Sequence, residues 1–567
     1  MQTKIKSLFL LFSLAVIVLI ARLFYWQVIK SSQLAEFAKL QHSFGTPLSA
    51  SRGSILASDG SWLAASVEGW LLYAELQKLK EDPKVIANKI APLFIVDDDS
   101  LMAETLRIES LLTKKDAAWV PLKSKVDKVA KEKIESMAIA GLGFDSESRR
   151  IYPEEDLAAH TLGFVGKTET GEDKGYFGLE GFWDLSLEGK KGFIERETDA
   201  VGVPLIHGKE TQVSASDGVD LVTNIDKGVQ LIAQRKLQQG VEKYGAVSGT
   251  VLIMDPFTGG VIANSSYPNY TPQEYFEFGD NYFRDPAVSD TFEPGSIFKV
   301  LVMASALDSG VLEPETVCDM CDKAAKIDKY LIETWDKKYY PATTMTDVIV
   351  HSDNVGMVFV AKKIGASKLY DYLTKFGIGE PTGIDLQGEV SVDMRLKENW
   401  SEIDLATASF GQGVTVTPIQ MLTGVSVIAN GGNLVKPQVV DKIVLKDWVE
   451  DIGPVIRQRA ITETSANKIK NMMVEAASHG EAKWTSLKGF KVAGKTGTAQ
   501  IPVLGHYDDK KTVASFIGFA PSDKPKFAML VTLKEPTLSQ WASETAAPLW
   551  FDIVEDLFPY FGIQPGE

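Results

Sequence analysis

Ser296 and Lys299 are the residues whose types and spacing most directly indicate chemistry. They lie three apart in EPGSIFKVLVMASAL, residues 293–307, where Lys299 is the one charge after the Pro-Gly turn. On a helix, this spacing places both side chains on one face, a turn apart. A serine hydroxyl becomes a good nucleophile when a base removes its proton, and burial lowers the pKa of a lysine enough to make it that base. The stretch therefore predicts a nucleophilic serine beside a buried lysine.

The same S-x-x-K spacing occurs a second time, at Ser465 and Lys468 in ETSANKIKNMM. The neighbouring residues there are polar, so this lysine can point into water. Spacing alone is therefore compatible with chance. The Pro-Gly turn and the apolar run that follows it favour Ser296 and Lys299 over the second pair.

Two further short motifs follow in the sequence. HSDNVGM contains Ser352-Asp353-Asn354, and KVAGKTGTAQ contains Lys495-Thr496-Gly497-Thr498. Taken alone, the first is typical of a helix cap or turn, and the second of an edge strand that carries a glycine. In this order, however, S-x-x-K, S-D-N and K-T-G are the motif set of serine β-lactamases and penicillin-binding proteins.

The chain resembles a class B penicillin-binding protein, the monofunctional D,D-transpeptidase that cross-links peptidoglycan. Beyond the three motifs, the resemblance covers essentially the whole chain through RLFYWQVI, RGSILASDGSWLAAS, RIYP, AAHTLGFVG, GLEGFWDLSLEGKKG, FGQGVTVTPIQM and IANGGNLVKP. In the second of these, Ala57-Ser58-Asp59 stand where the family has Asp-Arg-Asn. This departure concerns the conformation of one turn and leaves the chemistry untouched.

The resemblance implies catalytic roles for four of the motif residues. Ser296 is the nucleophile that becomes acylated, and Lys299 is the base that activates it. Ser352 relays a proton to the leaving amine, and Asn354 binds the substrate amide. The reaction needs no cofactor and no metal. Asp353, between the last two residues, receives no role.

The resemblance also implies a substrate-binding role for the K-T-G strand. Lys495 supplies a positive charge that helps to keep Lys299 neutral. Thr496 and Thr498, with Gly497 between them, hold the carboxylate of a D-Ala-D-Ala stem peptide. The backbone N–H groups of Ser296 and Thr498 form the oxyanion hole, which stabilises the negative charge of the transition state. β-Lactams mimic the dipeptide and leave a stable acyl adduct.

The N-terminal sequence predicts a membrane anchor. Lys4 and Lys6 precede a charge-free, largely apolar run from Leu8 to Ala21, which is short of the about 20 residues that span a bilayer. Arg22 can snorkel to the interface, where the aromatic LFYW is also favoured. Bulky residues follow the run instead of a small-residue cleavage site. We expect an uncleaved, single-pass anchor in the inner or plasma membrane, with a cleaved signal peptide as the alternative; nearly all of the chain then lies outside the cytoplasm.

The pattern along the chain predicts four parts: a cytoplasmic tail at 1–6, a transmembrane helix at 7–28, a pedestal domain at 29–218, and a transpeptidase domain at 223–567. SSQLAEFAKLQHSF is expected to form a juxtamembrane helix, and the charged segment 85–140 to be helical. The resemblance implies that the pedestal is an elongated α/β domain related to dimerisation.

The second half of the chain predicts an α+β domain. A hairpin is expected in SGTVLIMDPFTGGVIANSS, three further strands in FKVAGKTGTAQIP, KTVASFIGFAPS and KFAMLVTLKEP, and a last helix in PLWFDIVEDLF. Both ends of the domain would thus build one antiparallel sheet, with a mostly helical insert at about 270–485. The resemblance implies that this sheet has five strands and is flanked by helices, as in the penicillin-binding fold.

Composition excludes some partners and cofactors. The net charge of −16, from 59 basic and 75 acidic residues, argues against nucleic acid. Cys318 and Cys321 lie in VCDMCDK, without a second cysteine pair or an HExxH motif. A zinc site needs about four ligands. We therefore expect no metal, and either a local disulfide or two free thiols.

A covalent D,D-transpeptidase is the function that these patterns favour. One alternative is a hydrolase, either a β-lactamase or a D,D-carboxypeptidase, for which the sequence does not locate a base that would activate the deacylating water. Another is a β-lactam sensor or scaffold without catalysis. Within the family, the modest length favours the septal, division type over the elongation type. A septal protein would have a glycosyltransferase and other membrane division proteins as partners.

Overall fold

The computed structural model describes residues 2–31, 34, 43–48, 50–95, 98–115, 117–197, 210–446, 448–503 and 506–566. The juxtamembrane helix expected in SSQLAEFAKLQHSF falls mostly outside these residues. The chain forms two compact units, Met1–Arg52 with Glu188–Gly218, and Gly53–Leu187 with Val219–Glu567. Each unit is described by itself.

Seventeen α-helices occur in the described part of the chain. In chain order they are α1 Gln2–Phe24, α2 Pro83–Ile90, α3 Asp98–Leu112, α4 Lys128–Ser136, α5 Ala159–Leu162, α6 Gly178–Phe182, α7 Asp184–Glu188, α8 Lys227–Tyr244, α9 Pro286–Ser289, α10 Lys299–Asp308, α11 Met345–Val350, α12 Asn354–Ile364, α13 Ala366–Lys375, α14 Glu402–Ala408, α15 Pro418–Ala429, α16 Glu463–His479 and α17 Ala546–Tyr560.

The same part of the chain contains twenty-one strands. They are β1 Ser43–Leu48, β2 Ile55–Leu56, β3 Trp62–Glu75, β4 Trp119–Val126, β5 Leu142–Ile151, β6 Phe164–Lys167, β7 Asp173–Tyr176, β8 Gly192–Glu197, β9 Glu210–Val213, β10 Asp220–Thr223, β11 Ser248–Met254, β12 Val261–Tyr267, β13 Ala325–Ile327, β14 Tyr330–Ile332, β15 Asn433–Val435, β16 Val440–Leu445, β17 Trp448–Asp451, β18 Ile456–Arg459, β19 Ala493–Val503, β20 His506–Ala520 and β21 Phe527–Lys534.

The smaller unit consists of the N-terminal helix and a three-stranded sheet. Helix α1 continues into a π-helical turn at Tyr25–Ile29, and Lys4–Ile29 is long and apolar enough to cross a membrane. Its apolar side chains are exposed, as expected for a helix whose solvent is lipid. The sheet has the strand order β1-β8-β9.

A seven-stranded sheet joins distant parts of the larger unit, in the order β17-β16-β10-β2-β3-β4 with β5 also paired to β3. Strand β4 lies inside the segment 85–140 that we expected to be helical, so this part of the prediction was wrong. Its buried residues alternate, with Val120 and Leu122 in a core that also contains Ile86 and Ile108. The lysines on the outer face of β4, together with the helical segments on either side, obscure this alternation of buried residues in the sequence.

Three of the sequence boxes in the first half of the chain meet at one buried side chain, Arg150 of RIYP. Its Nε donates to Oε1 of Glu180 in GLEGF at 2.6 Å, and its Nη1 donates to the carbonyl oxygen of Gly53 in RGSIL at 2.7 Å. The Arg150 and Glu180 side chains are only 4% and 0% exposed. A guanidinium excluded from water needs such partners. The three boxes are therefore joined by the hydrogen bonds of this buried charge.

The five-stranded sheet predicted for the second half of the chain is confirmed, with the order β12-β11-β21-β20-β19 and antiparallel pairing throughout. Helices α8 and α17 cover one face, where Val251 and Phe516 are buried. Helices α10 and α15 belong to the core of the other face, with Leu252 and Ile517. The two ends of the domain thus build one sheet, as expected.

Helices predominate over strands in the insert between these ends, as predicted; it contains α9 to α16 together with the short strands β13 to β18. Strands β16 and β17 belong to the seven-stranded sheet. Cys318 and Cys321 form a disulfide in the insert. Of the two expected states, a local disulfide or two free thiols, the first is therefore observed. Within the described residues, no group of His, Cys, Asp and Glu side chains could hold a metal ion.

Candidate active site

The candidate nucleophile lies on a tight turn that leads into helix α10. Gly295–Phe298 form a 3₁₀ turn, and the α-helix begins at Lys299. Residues three apart in a 3₁₀ turn lie one above the other. The turn therefore keeps Ser296 and Lys299 on one face, as the motif requires, and leaves Ser296 half-buried.

The side chain of Lys299 is fully buried, and every residue of α10 from Lys299 to Leu307 is buried with it. Its Nζ donates to the carbonyl oxygen of Ser352 at 2.6 Å, to Ser352 Oγ at 3.2 Å and to Asn354 Oδ1 at 2.8 Å. Among the described residues, these are the hydrogen bonds of the amine, and Ser296 Oγ is not included. The structure thus brings the S-x-x-K lysine to both polar residues of the second motif.

Two of these partners can only accept hydrogen bonds: the carbonyl oxygen of Ser352 and Oδ1 of Asn354. The orientation of the Asn354 amide follows from its Nδ2, which donates to the carbonyl oxygen of Glu333 at 3.2 Å. A neutral amine has two N–H donors and one lone pair. Because the two acceptors use both donors, the lone pair of a neutral Lys299 remains available to accept a proton from a hydroxyl.

Electrostatics favour this neutral form. Burial, helped by the positive charge of Lys495, lowers the pKa of Lys299 to about 7, although the carboxylates of Glu481 and Asp353 oppose the shift. Desolvation penalises the charged form of a lysine, which is the physical cause of the largest contribution. A lowered pKa is what a lysine needs in order to act as a base.

The second motif joins α11 to α12 through an unusual backbone conformation. Ser352 has φ of 55°, in the left-handed region that non-glycine residues rarely adopt. Asp353 follows as the N-cap of α12, and its Oδ1 accepts from the N–H groups of Val355 and Gly356. Such strain persists where the surrounding structure imposes it, often at functional sites. Here the left-handed conformation of Ser352 accompanies the hydrogen bond that its carbonyl oxygen accepts from Lys299.

The third motif lies on β19, the edge strand of the five-stranded sheet. Lys495 is buried, and its Nζ donates to the carbonyl oxygen of Thr496 at 3.1 Å and to Thr496 Oγ1 at 3.0 Å. Burial lowers the pKa of Lys495, while the carboxylate of Glu481 opposes this shift. The carboxylate of Glu481 thus acts as a counter-charge to both buried lysines.

Glu481 is a residue that the sequence did not point to. Its Oε2 accepts a hydrogen bond from Thr496 Oγ1 at 2.6 Å, and its charge acts on both Lys299 and Lys495. It lies in HGEAKW between α16 and β19, without a motif or a periodic pattern around it. Only the folded structure brings it to the K-T-G strand.

Gly497 allows the K-T-G strand to approach the turn of the nucleophile. A Cβ at this position would lie 2.8 Å from Ile297 Cγ2 and 3.1 Å from Ile297 N. Real side chains do not tolerate such contacts, so a larger residue would push the strand away from the turn. The next residue, Thr498, accepts a hydrogen bond at Oγ1 from the N–H of Ala542 at 3.0 Å. Thr498 is half-buried.

The FGQG box supports the nucleophile's turn from another side. The N–H of Gly295 donates to the carbonyl oxygen of Gly411 at 3.1 Å. Gly411 has φ of +78°, and a Cβ there would lie 2.2 Å from the carbonyl oxygen of Gly295. Glu293 accepts from the N–H of Gly413. The FGQG segment, one of those that carry the family resemblance, therefore positions the turn that contains Ser296.

Two partly exposed indoles connect the second and third motifs. Trp335 donates its Nε1–H to the carbonyl oxygen of His351 at 3.3 Å, one residue before Ser352. Trp541 precedes Ala542, whose N–H binds Thr498. The two rings lie 5.5 Å apart. No pattern in the sequence pairs these tryptophans, which are 206 residues apart.

The second S-x-x-K pair lies away from this cluster. Ser465 is in the first turn of α16, and its N–H donates to Oγ1 of the N-cap Thr462. Lys468 is partly exposed and forms an ion pair with Glu313. This is the solvent-facing arrangement that the polar neighbours of Lys468 predict.

Comparison with known proteins assigns the class to which this fold and site belong. Residues 249–555 match the family described as penicillin binding protein transpeptidase domain, and residues 47–223 match the penicillin-binding protein dimerisation domain. The first match alone covers more than half of the chain. The protein belongs to the penicillin-binding protein transpeptidase family, and its N-terminal helix is long and apolar enough to serve as a membrane anchor.

Similar proteins match over almost the whole chain. Stage V sporulation protein D of Bacillus subtilis (strain 168) is 29% identical over 568 residues, covering 98% of this chain and 85% of that protein. Peptidoglycan D,D-transpeptidase FtsI of Escherichia coli (strain K12) is 28% identical over 561 residues, covering 97% and 91%. Penicillin binding protein 3 of Mycobacterium tuberculosis, solved with aztreonam, has a TM-score of 0.70 at 23% identity, covering 92% and 98%. This structural match shows the shared fold and confirms the expected fold class.

Proposed function

We propose that the protein is a peptidoglycan D,D-transpeptidase that cross-links stem peptides through an acyl-enzyme at Ser296. The observation that carries this proposal is the environment of Lys299, a fully buried amine whose pKa is lowered to about 7 and which contacts Ser352 and Asn354. A base is most effective when its pKa lies near the working pH. An amine in this state can take the proton of Ser296 at neutral pH.

In the first step, Ser296 Oγ attacks the carbonyl carbon between the two D-alanines, and Lys299 Nζ takes the hydroxyl proton. The backbone N–H groups of Ser296 and Thr498 stabilise the oxyanion. Ser352 relays the proton to the amine of the departing D-alanine, because its hydroxyl contacts Lys299 Nζ. Asn354 holds the amide of the donor peptide. The products are the acyl-enzyme and free D-alanine.

The K-T-G strand holds the donor during this step. Thr496 and Thr498 bind the terminal carboxylate, and the charge of Lys495 supports them. Gly497 keeps this strand close to the nucleophile's turn. In the second step, an amine of another stem peptide attacks the ester carbonyl, an amide forms, and Ser296 is released. A β-lactam enters the first step as a mimic of D-Ala-D-Ala and remains attached.

The proposed organisation assigns residues 1–6 to the cytoplasm, 7–28 to the membrane, 29–218 to the pedestal and 223–567 to the transpeptidase domain. Lys4 and Lys6 favour a cytoplasmic N-terminus, which places the catalytic domain outside the cytoplasm. The protein acts in septal cell wall synthesis during cell division. Its partners are a glycosyltransferase and other membrane division proteins, which contact the anchor and the pedestal.

Labelling with a fluorescent penicillin tests the function. The full chain in detergent should bind one penicillin covalently and release it slowly, and a Lys468→Ala variant should label to the same extent. Rapid release would instead indicate a β-lactamase or D,D-carboxypeptidase. A folded protein that does not label would contradict both enzymes and leave a non-catalytic scaffold.

A further inference from the structure

The hydroxyl proton of Thr496 is already used within the protein. Thr496 is only 6% exposed. Its Oγ1 donates to Oε2 of Glu481 at 2.6 Å and accepts from Nζ of Lys495 at 3.0 Å. A hydroxyl has one proton, and a carboxylate can only accept. The single proton of Thr496 is therefore given to Glu481.

Thr498, the other threonine of the K-T-G strand, presents the opposite case. Its Oγ1 accepts from the N–H of Ala542 at 3.0 Å, an interaction that does not use the hydroxyl proton. Among the described residues, that proton has no acceptor. The proposed function has both threonines bind the terminal carboxylate of the donor peptide. Of the two, Thr498 has a proton available for this carboxylate, whereas Thr496 must first give up its contact with Glu481.

Glu481 also brings a negative charge to this point of the site. Burial lowers the pKa of Lys299 and of Lys495, and the charge of the half-buried Glu481 opposes both shifts. The carboxylate of a donor that binds Thr496 would meet that of Glu481 at the same hydroxyl group. Like charges disfavour each other most strongly where little water screens them. The donor carboxylate therefore gains less from Thr496 than from Thr498.

The backbone around Glu481 fixes its position. Helix α16 ends just before Gly480, whose N–H donates to the carbonyl oxygen of Ala476 at 3.0 Å. A Cβ at Gly480 would lie 2.8 Å from the carbonyl oxygen of Val350, so this turn packs against the end of α11. On the other side of Glu481, Ala482 is 2% exposed. The turn that carries the carboxylate is thus packed into the structure beside the second and third motifs.

We infer that Glu481 is a specificity residue of the transpeptidase, which competes with the terminal carboxylate of the donor for the hydroxyl proton of Thr496. The inference rests on the function proposed above. An anionic donor breaks the hydrogen bond between Thr496 and Glu481 when it binds Thr496, but it loses nothing of this kind at Thr498. Glu481 therefore weakens the recognition of the carboxylate, and it has a smaller effect on a donor without that charge.

Benzylpenicillin and its methyl ester test this competition, because only the first carries a free carboxylate. The rate constant for acylation of the full chain in detergent is measured with each compound at about pH 8, where Lys299 is mostly neutral. Glu481→Gln keeps the size of the side chain and removes its charge. The ratio of the two rate constants, anion over ester, should rise by about tenfold, the effect of one charge-assisted hydrogen bond.

Glu475→Gln is the matched control. It removes an exposed carboxylate of α16 whose Oε2 lies 3.0 Å from Nδ1 of His479. The overall charge of the protein changes by the same amount as in Glu481→Gln, but no group of the K-T-G strand loses a partner. The control should leave the ratio of the rate constants unchanged.

The pH profile separates this role from a merely structural one. Burial and Lys495 lower the pKa of Lys299. The carboxylates of Glu481 and Asp353 raise it, so Glu481→Gln lowers this pKa further. Since the neutral amine is the active form, the fall of the rate constant in acid should begin at a lower pH in this variant. The methyl ester reports the shift without a carboxylate of its own, and Glu475→Gln should show no shift.

The two threonines provide a second measurement that does not depend on a Glu481 variant. Valine keeps the shape of threonine and removes the hydroxyl group. Thr498→Val should lower the ratio of anion to ester by about tenfold, because the donor carboxylate loses an available proton. Thr496→Val should lower it by less than about threefold, because its proton is given to Glu481 in the wild type.

The outcomes distinguish the inference from the function on which it rests. A raised ratio and an acid-shifted profile in Glu481→Gln support the competition. An unchanged or lowered ratio in the folded variant overturns it, and so do equal losses in Thr496→Val and Thr498→Val. If Glu481→Gln does not fold, the two threonine variants decide alone. A wild type that benzylpenicillin does not acylate overturns the proposed function instead.

Discussion

Replacing Lys299 by arginine lowers the rate constant for acylation by penicillin by about 100- to 10,000-fold, the range of a general base. The guanidinium keeps a positive charge near Ser352 and Asn354 but does not lose a proton in proteins. It can therefore mimic the protonated form of Lys299 but cannot act as a base. The rate constant is measured with a fluorescent penicillin under single-turnover conditions, and circular dichroism reports whether the variant is folded.

The matched control is Lys468→Arg, in the exposed S-x-x-K pair, which should acylate at the wild-type rate. The acylation rate constant of the wild type should also change with pH as its base gains or loses a proton. Since the neutral form of Lys299 is the active one and its pKa is about 7, the rate constant should level off above this pH and fall by about tenfold per unit well below it. Normal acylation by the folded arginine variant would remove Lys299 from the mechanism.

Replacing Glu180 by glutamine destabilises the larger unit by about 3–5 kcal/mol, the usual effect of breaking a buried ion pair. Glu180 is fully buried and accepts from Nε of Arg150, which is 4% exposed. The variant leaves the guanidinium buried without an anion, at the point where the RGSIL, RIYP and GLEGF boxes meet. Thermal and urea unfolding of the full chain measure the loss.

An exposed Glu-to-Gln change provides the comparison. Glu380→Gln removes the partner of Arg457, an ion pair of 3.0 Å whose side chains are 48% and 31% exposed. Solvent screens such a pair, so we expect a loss below about 1 kcal/mol. Equal effects of the two variants would show that burial of the Arg150–Glu180 pair does not determine stability here.

The parts of the fold that could be predicted are those where one strand or helix has a clear pattern of its own. β11, β12, β20 and β21 are apolar runs between turns, and their order along the chain suffices to place them in one sheet. β4 could not be predicted, because its lysines and its helical neighbours conceal the alternation of buried residues. The pairing of β10 with both β2 and β16 depends on contacts between distant segments, which no local pattern contains.

The candidate site also contains some features that a local sequence pattern predicts and others that depend on contacts between distant segments. The apolar run around Lys299 was enough to predict its burial, because a helix that is apolar on all its faces is buried in a core. The hydrogen bond from Lys299 to the carbonyl oxygen of Ser352 depends on the left-handed conformation of Ser352, which the sequence does not reveal. Glu481 and the pair Trp335 and Trp541 come from segments without a motif, so only the tertiary structure brings them to the site.

The position of a penicillin adduct shows whether Ser296 is the nucleophile. The full chain is incubated with benzylpenicillin, and mass spectrometry of the intact protein and of its peptides locates the added mass. We expect one adduct per chain, on the peptide that contains Ser296, and none in a folded Ser296→Ala variant. An adduct on another residue, such as Ser465, or an undiminished adduct in the alanine variant, would contradict it.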